Sequence, residues 1–129
     1  MKADLHNHSY YSDGVLSPSE VVRLASKAGC DLFSLTDHDT TDGIAEAKLE
    51  ADKVGLNLIN GVEISAFWRN MAIHIVGLGV DVNNDILQTG LEHNQDLRKI
   101  RAEKIALSLW RSGIKDALEK AQIISGGHM

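Results

Sequence analysis

The sequence predicts an α/β fold, because short apolar segments of strand character alternate with amphipathic helical segments and polar, chemistry-bearing residues follow directly on the strand candidates. That alternation is the pattern of βα units feeding a parallel sheet, whose strand carboxyl ends gather on one edge. About four parallel strands and a helical C-terminal segment are expected.

Residues 2–6 alternate weakly and form the first strand candidate, which ends at a pair of histidines. Ser17-Pro18-Ser19-Glu20 then opens the first helix. Ser17 is placed to cap it, Pro18 suits its first position, and Glu20 completes a capping box. Val21, Val22, Leu24 and Ala25 give this helix an apolar face and Gly29 a stop. Asp31 to Thr36 reads as a buried strand running into Asp37-His38-Asp39. Asp42 or Thr41 is placed to cap a second helix through Ile44, Ala47, Leu49 and Val54, which Gly55 ends. Residues 56–64 are the third strand candidate, broken at Asn60-Gly61, and residues 72–80 the fourth. Beyond Asp81 the chain turns charged and aliphatic. A long helix is expected over 83–111, its Arg98, Lys99, Arg101, Glu103 and Lys104 forming a solvated face, followed by a short helix at 115–123 and a flexible end from Ser125. The organisation expected is a βα region over 1–82 and a helical segment over 83–129.

Composition restricts the function. Thirteen Lys and Arg against eighteen Asp and Glu leave a formal charge of −5, which argues against a protein that coats nucleic acid through a basic face. The single cysteine, Cys30, excludes a disulfide framework and fits a reducing compartment as a small core residue. Met1-Lys2-Ala3-Asp4 has no apolar signal core and the apolar runs are short, so no membrane span and a cytoplasmic location are expected.

The chemistry lies in the histidines. His6-Asn7-His8 on a strand would point both imidazoles to one face, as two ligands of one metal require. Asp13-Gly14 lies in a turn that can swing a carboxylate back toward them, and His38 stands between two aspartates past the second strand. Glu63 comes near the end of the third strand. His74, inside an apolar run, would by itself read as a core residue with satisfied ring nitrogens. What sets these residues apart is coincidence, since His6, His8, His38 and Glu63 all fall at strand carboxyl ends. Four histidines, one aspartate and one glutamate exceed the needs of a single ion. Imidazole with carboxylate suits zinc, iron or manganese, and shared carboxylates suit a multinuclear centre. Such metals lower the pKa of bound water to about 7 and clamp phosphate oxygens, which points to hydrolysis of a phosphoester. Gly77-Leu78-Gly79 lacks the third glycine and the helix of a phosphate-binding loop.

Four ordered motifs carry a family resemblance. Asp4-Leu5-His6-Asn7-His8-Ser9 with Ser12-Asp13-Gly14, then Thr36-Asp37-His38-Asp39-Thr40, Gly61-Val62-Glu63-Ile64-Ser65 and His74-Ile75-Val76-Gly77 resemble the successive motifs of the polymerase and histidinol phosphatase (PHP) superfamily. The similarity is greatest to its bacterial phosphoesterases, which include nucleoside 3′,5′-bisphosphate phosphatases and a 5′-to-3′ exoribonuclease acting on short RNA. The resemblance implies the N-terminal part of a distorted (β/α)₇ barrel with two or three divalent ions, manganese, iron or zinc. It implies that His6 and His8 hold one ion, that Glu63 bridges it to a second bound by His74, and that Asp13 and His38 hold a third. Asp37 would line the site and orient ligands or substrate, the catalytic role nearest to hand. The substrate implied is a small phosphomonoester, nucleotide or short RNA end.

The family's later Ala-His-Pro and closing Asp-x-His motifs, and the phosphate-binding residues between them, have no counterpart in this chain, and His128 does not replace them. Two other readings follow. The chain as it stands is a non-catalytic metal-binding or scaffold module whose open sheet edge pairs with a second copy, or it is another metal-dependent hydrolase such as an amidohydrolase.

Overall fold

The computed structural model describes residues 1–125, so the expected flexible end and His128 lie outside or at the limit of the described residues. Strands β1 (Ala3–Asp4), β2 (Leu32–Phe33) and β3 (Asn57–Leu58) form a parallel sheet in that order. Backbone hydrogen bonds carry the pairing further toward the carboxyl ends. Ser34 N–H reaches the Asp4 carbonyl at 2.9 Å and Thr36 N–H the Asn7 carbonyl at 3.0 Å. The first two strands therefore stay side by side until they reach the histidines.

Helices α1 (Pro18–Lys27) and α2 (Ile44–Val54) pack against each other and supply the core with β2. Val22, Ala25, Phe33, Leu35, Ala47, Ala51 and Leu56 form that cluster, with Val21, Cys30 and Leu58 packed on it. α1 starts as the sequence predicts. Ser17 Oγ accepts from Glu20 N–H at 3.2 Å, and the Glu20 carboxylate accepts from Ser17 N–H at 2.8 Å. α2 does not. Its cap is Gly43, without a side-chain bond, in place of Asp42 or Thr41. A side chain at 43 would press on Leu35, Pro18 and Tyr11, so the helix start lies too close to the core for a capping side chain.

The strand predicted over 56–64 is real and broken at Asn60, as the Asn-Gly pair implies. Its second part, β4 (Gly61–Trp68), meets the extension of β2 through a parallel bridge between His38 and Glu63. Glu63 N–H donates to the Asp37 carbonyl at 3.1 Å and Asp39 N–H to the Glu63 carbonyl at 2.9 Å. The fourth segment departs from expectation. β5 (Met71–Leu78) runs antiparallel to β4, in register from Gly61 opposite Leu78 to Trp68 opposite Met71. Only Arg69 and Asn70 join the two, at φ 47° and 65°, which is the two-residue hairpin geometry; a parallel strand needs a crossover of about a dozen residues. The α/β class with a parallel sheet stands, and a hairpin replaces its fourth parallel strand. Among the described residues β5 pairs only with β4, so its outer edge is free.

Helix α3 (Asp85–Arg111) is capped by Asn84, whose Oδ1 accepts from Leu87 N–H at 2.9 Å, and α4 (Ala117–Ile124) follows it. α3 is not solvated throughout. Leu91 is buried, and Gln88 Nε2 donates to Thr41 Oγ1 at 3.0 Å. No described helix is long and apolar enough to cross a membrane.

Two expectations follow from this packing. A Cβ at Gly61 would collide with Ser34 Oγ and lie 2.7 Å from Thr36 Cγ2, whereas one at Gly90 in α3 would meet open space. Gly61→Ala is expected to lower stability by about 1–3 kcal/mol through overpacking, and Gly90→Ala to raise it by roughly 0.5–1 kcal/mol. Urea unfolding of the two variants measures both, and equal midpoints would contradict the close approach of β2 and β4.

The second expectation concerns Glu50, which is buried and accepts from Lys53 Nζ at 3.1 Å and Arg23 Nη1 at 2.9 Å. Those bonds, Lys53 first, hold its carboxyl below the usual range against the opposing effect of burial. A depressed folded pKa gives stability that is complete above the ordinary carboxylate range, about pH 4.3, and is lost as pH falls through the folded value. Glu50→Gln should therefore lower Tm at pH 7, and the gap to wild type should narrow as pH falls below the ordinary carboxylate range.

Candidate metal centre

The site is assembled where the strands end. Asn7 is turned toward the sheet, its amide donating to the Ser34 carbonyl at 2.9 Å and its N–H to Thr36 Oγ1 at 3.2 Å. With Asn7 fixed on one side of the chain, His6 and His8 both face the other. The loop after them folds back tightly, with Gly14 N–H bonded to the Ser9 carbonyl at 2.9 Å. A Cβ at Gly14 would lie 2.8 Å from the Ser9 carbonyl carbon, so only glycine lets the loop close this far. Asp37, buried, anchors the loop from beneath. Its Oδ1 accepts from Ser9 N–H and Ser12 Oγ, and its Oδ2 from Ser9 Oγ, each at 2.7 Å. The exposed Asp13 is thereby brought 3.5 Å from His8 Nδ1 and 3.5 Å from His38 Nε2.

Glu63 lies at the centre, 5% exposed. Its Oε2 is 2.8 Å from His6 Nε2, 3.1 Å from His8 Nε2 and 3.6 Å from His38 Nδ1, and its Oε1 is 3.0 Å from His74 Nδ1. His74 reaches it because Ser65 lies opposite His74 across the hairpin, and residues two apart on a strand share a face. The rings also contact one another. His8 stacks on His38 at 4.6 Å between centroids, and His38 meets His74 edge-on at 4.8 Å.

The electrostatics suit a cation. Burial disfavours charge on Glu63, yet the hydrogen bond from His6 and the fields of His38, His6 and His8 outweigh it and hold the carboxyl below its usual range. Burial pushes the His38 imidazole down, beyond what Glu63 and Asp13 restore, which keeps it neutral and its lone pair available near pH 7. His38 Nδ1 is buried with no hydrogen-bond partner, aimed at Glu63.

The residues fit a metal in three overlapping groups: His6, His8 and Glu63; His8, Asp13 and His38; and His38, Glu63 and His74. Within each, the ligand atoms lie within 4.8 Å of one another. Every ligand candidate named from the sequence is in this cluster, and Asp37 supports it from below. Sequence reasoning missed Ser9 and Ser12, and it missed the buried network around Asp39. Asp39 takes Arg98 Nε at 2.6 Å, so this arginine, still half exposed, also reaches into the buried network. The one local sign of that network was the second aspartate of Asp37-His38-Asp39.

Residues 4–116 match the PHP domain. The chain belongs to the PHP family. It is 44% identical over 128 residues to a 5′-3′ exoribonuclease of Haemophilus influenzae, a match covering 99% of this chain and 47% of that protein. It is 42% identical over 118 residues to a 3′,5′-nucleoside bisphosphate phosphatase of Chromobacterium violaceum, covering 92% of this chain and 41% of the other. A solved Chromobacterium violaceum structure described as an amidohydrolase with bound sulfate and no metal is similar at a TM-score of 0.88 and 41% identity, covering 92% of this chain and 42% of that one. This PHP domain thus spans less than half the length of these relatives.

The anchoring of the loop is testable. Asp37→Asn places an amide NH₂ against Ser9 or Ser12 donors and is expected to cost about 1–3 kcal/mol in urea unfolding. An unchanged midpoint would show that Asp37 does not hold the loop.

Proposed function

We propose that this PHP domain is the N-terminal part of a metal-dependent phosphoesterase. Its substrates would be phosphate esters of small nucleotides, either nucleoside 3′,5′-bisphosphates or the 5′ ends of short RNA. The observation that carries the proposal is the convergence of four imidazoles on one buried carboxylate with Asp13 alongside. The relatives named exoribonuclease and bisphosphate phosphatase support the substrate class. His6, His8, Asp13, His38, Glu63 and His74 would hold two or three divalent ions, and their nitrogen and oxygen donors suit manganese, iron or zinc. Bound ions supply an activated water nucleophile and positive charge for the phosphate oxygens.

The chain's own residues set the stage for that chemistry. Glu63, fixed in the β4 backbone, gives the histidines a common target. Asp37 holds the loop that carries Asp13 and so orients ligands. His6 and His74, with side chains 54% and 45% exposed, form the open rim from which a phosphate enters. A location in the cytoplasm belongs to the same reading.

Elemental mass spectrometry of the natively purified chain is expected to find two or three ions, and Glu63→Ala to reduce that number, while Lys99→Ala on the exposed face of α3 leaves it unchanged. The intact protein should release phosphate from a nucleoside 3′,5′-bisphosphate, lose this activity to a chelator and regain it with manganese, and leave amides uncut. Ions without phosphate release would favour the metal-binding module, and amide cleavage an amidohydrolase. Absence of bound metal in the wild type would sink the proposal.

A further inference from the structure

Asp39 is fully buried beside the centre yet is not one of the residues grouped for metal binding. Its Oδ1 accepts from Ser65 N–H at 2.7 Å and Asn94 Nδ2 at 2.9 Å, and its Oδ2 from Ser65 Oγ at 2.7 Å and Arg98 Nε at 2.6 Å. A carboxylate has about four lone-pair sites, so this one is saturated and has none left for a cation. The main chain of Asp39 is held as firmly. Its N–H donates to the Glu63 carbonyl at 2.9 Å and its carbonyl accepts from Gln95 Nε2 at 2.8 Å. Its φ is +54°, a left-handed conformation that a residue with a side chain keeps only when its surroundings over-determine it.

The residues tied together here adjoin three of the candidate ligands. His38 precedes Asp39 in the chain, the Glu63 carbonyl takes the Asp39 N–H, and His74 lies opposite Ser65. Ser65 itself is held at every polar atom. Beyond its two bonds to Asp39, its carbonyl accepts from Asn94 Nδ2 at 2.8 Å and its Oγ from Arg98 Nη2 at 2.8 Å. Among the described residues, α3 hydrogen-bonds Asp39 and Ser65 through Asn94, Gln95 and Arg98, which lie on adjoining turns.

We propose that Asp39, clamped by Asn94 and Arg98 of α3, is a positioning residue that sets His38, Glu63 and His74 in the register at which their donor atoms meet one divalent cation. The proposal rests on the metal-centre reading and adds to it that α3 is a brace for the site. Partners that orient metal ligands without touching the metal typically change affinity by 10–100-fold when removed.

Cobalt(II) titration of the metal-free full chain tests this, with binding followed by equilibrium dialysis and the ligand-field spectrum in the visible. Asp39→Asn, which turns an amide NH₂ toward Ser65, Asn94 or Arg98, is expected to weaken the most affected ion by about 10–100-fold and to alter the spectrum at partial loading. Arg98→Lys keeps the charge but loses the rigid fork that spans Asp39 and Ser65, and should fall between Asp39→Asn and wild type. Asn94→Ala, which leaves the ion pair intact, should shift binding in the same direction, and it decides alone if Asp39→Asn does not fold. Arg23→Gln, which breaks the remote pair with Glu50, is the control, expected to lower Tm without touching cobalt binding. Wild-type affinity and spectrum in folded Asp39→Asn, or in folded Asn94→Ala where that variant decides, would overturn the positioning role and leave the network structural. A wild-type chain that binds no cobalt would instead remove the metal-centre reading itself, and this inference with it.

Discussion

A carboxylate taken out of water must be given donors or a cation, and the centre of this domain is built around that requirement at Glu63. An unpaired buried charge is costly enough that a fold tolerates it only when neighbouring groups replace the lost water. Here the replacements are hydrogen bonds to His6 at 2.8 Å and His74 at 3.0 Å, with the His8 and His38 rings close beside the same carboxylate. Bringing them together requires β1 and β2 to stay paired to their ends, β4 to join β2 at His38, and the hairpin to fold β5 back over β4. The parallel sheet and the hairpin serve the same carboxylate from two sides.

Three buried acidic residues lie within a few positions of one another in space, and the kind of donor each has separates their roles. Asp37 is satisfied by a backbone N–H and two hydroxyls, and Asp39 by a backbone N–H, a hydroxyl, an amide and a guanidinium. A backbone N–H and a guanidinium can only donate, so both carboxylates are pinned by fixed donors and Asp39 is saturated. Glu63 is different because its hydrogen-bond partners, His6 and His74, are imidazoles, whose ring nitrogens can also present a lone pair to a metal. The same contacts that satisfy Glu63 without a metal are the ones a metal would take over. The chemistry of the donor, more than the depth of burial, distinguishes a ligand carboxylate from a structural one.

How far the sequence reveals this depends on whether the information is local. His6-x-His8, Asp13-Gly14 and Glu63 after Gly61 were legible because strand periodicity and chain position predict where such side chains gather. The capping box of Ser17 and Glu20 was legible for the same reason. The hairpin was also written locally, in two strand-like runs around Arg69-Asn70, but the apolar run after position 72 looked like a buried parallel strand and hid the turn. Arg98 was not legible at all. It acts on Asp39 from 59 positions away, and on a helix crowded with Lys, Arg and Glu nothing in its neighbourhood marks it apart from Lys99 or Arg101.

The distribution of charge explains why a chain with a net charge of −5 can still be read as handling phosphate esters. Arg98 offsets Asp39, and with neutral imidazoles the formal charge remaining around the centre comes from Glu63, Asp13 and Asp37. That cluster would repel a phosphate dianion. Two divalent ions reverse the sign to a small positive charge, and three to a larger one. The acidic character of the site would therefore make binding of an anionic substrate conditional on cations. The fold places its negative charge where metal would neutralise it, and Arg98 ends on Asp39 and Ser65.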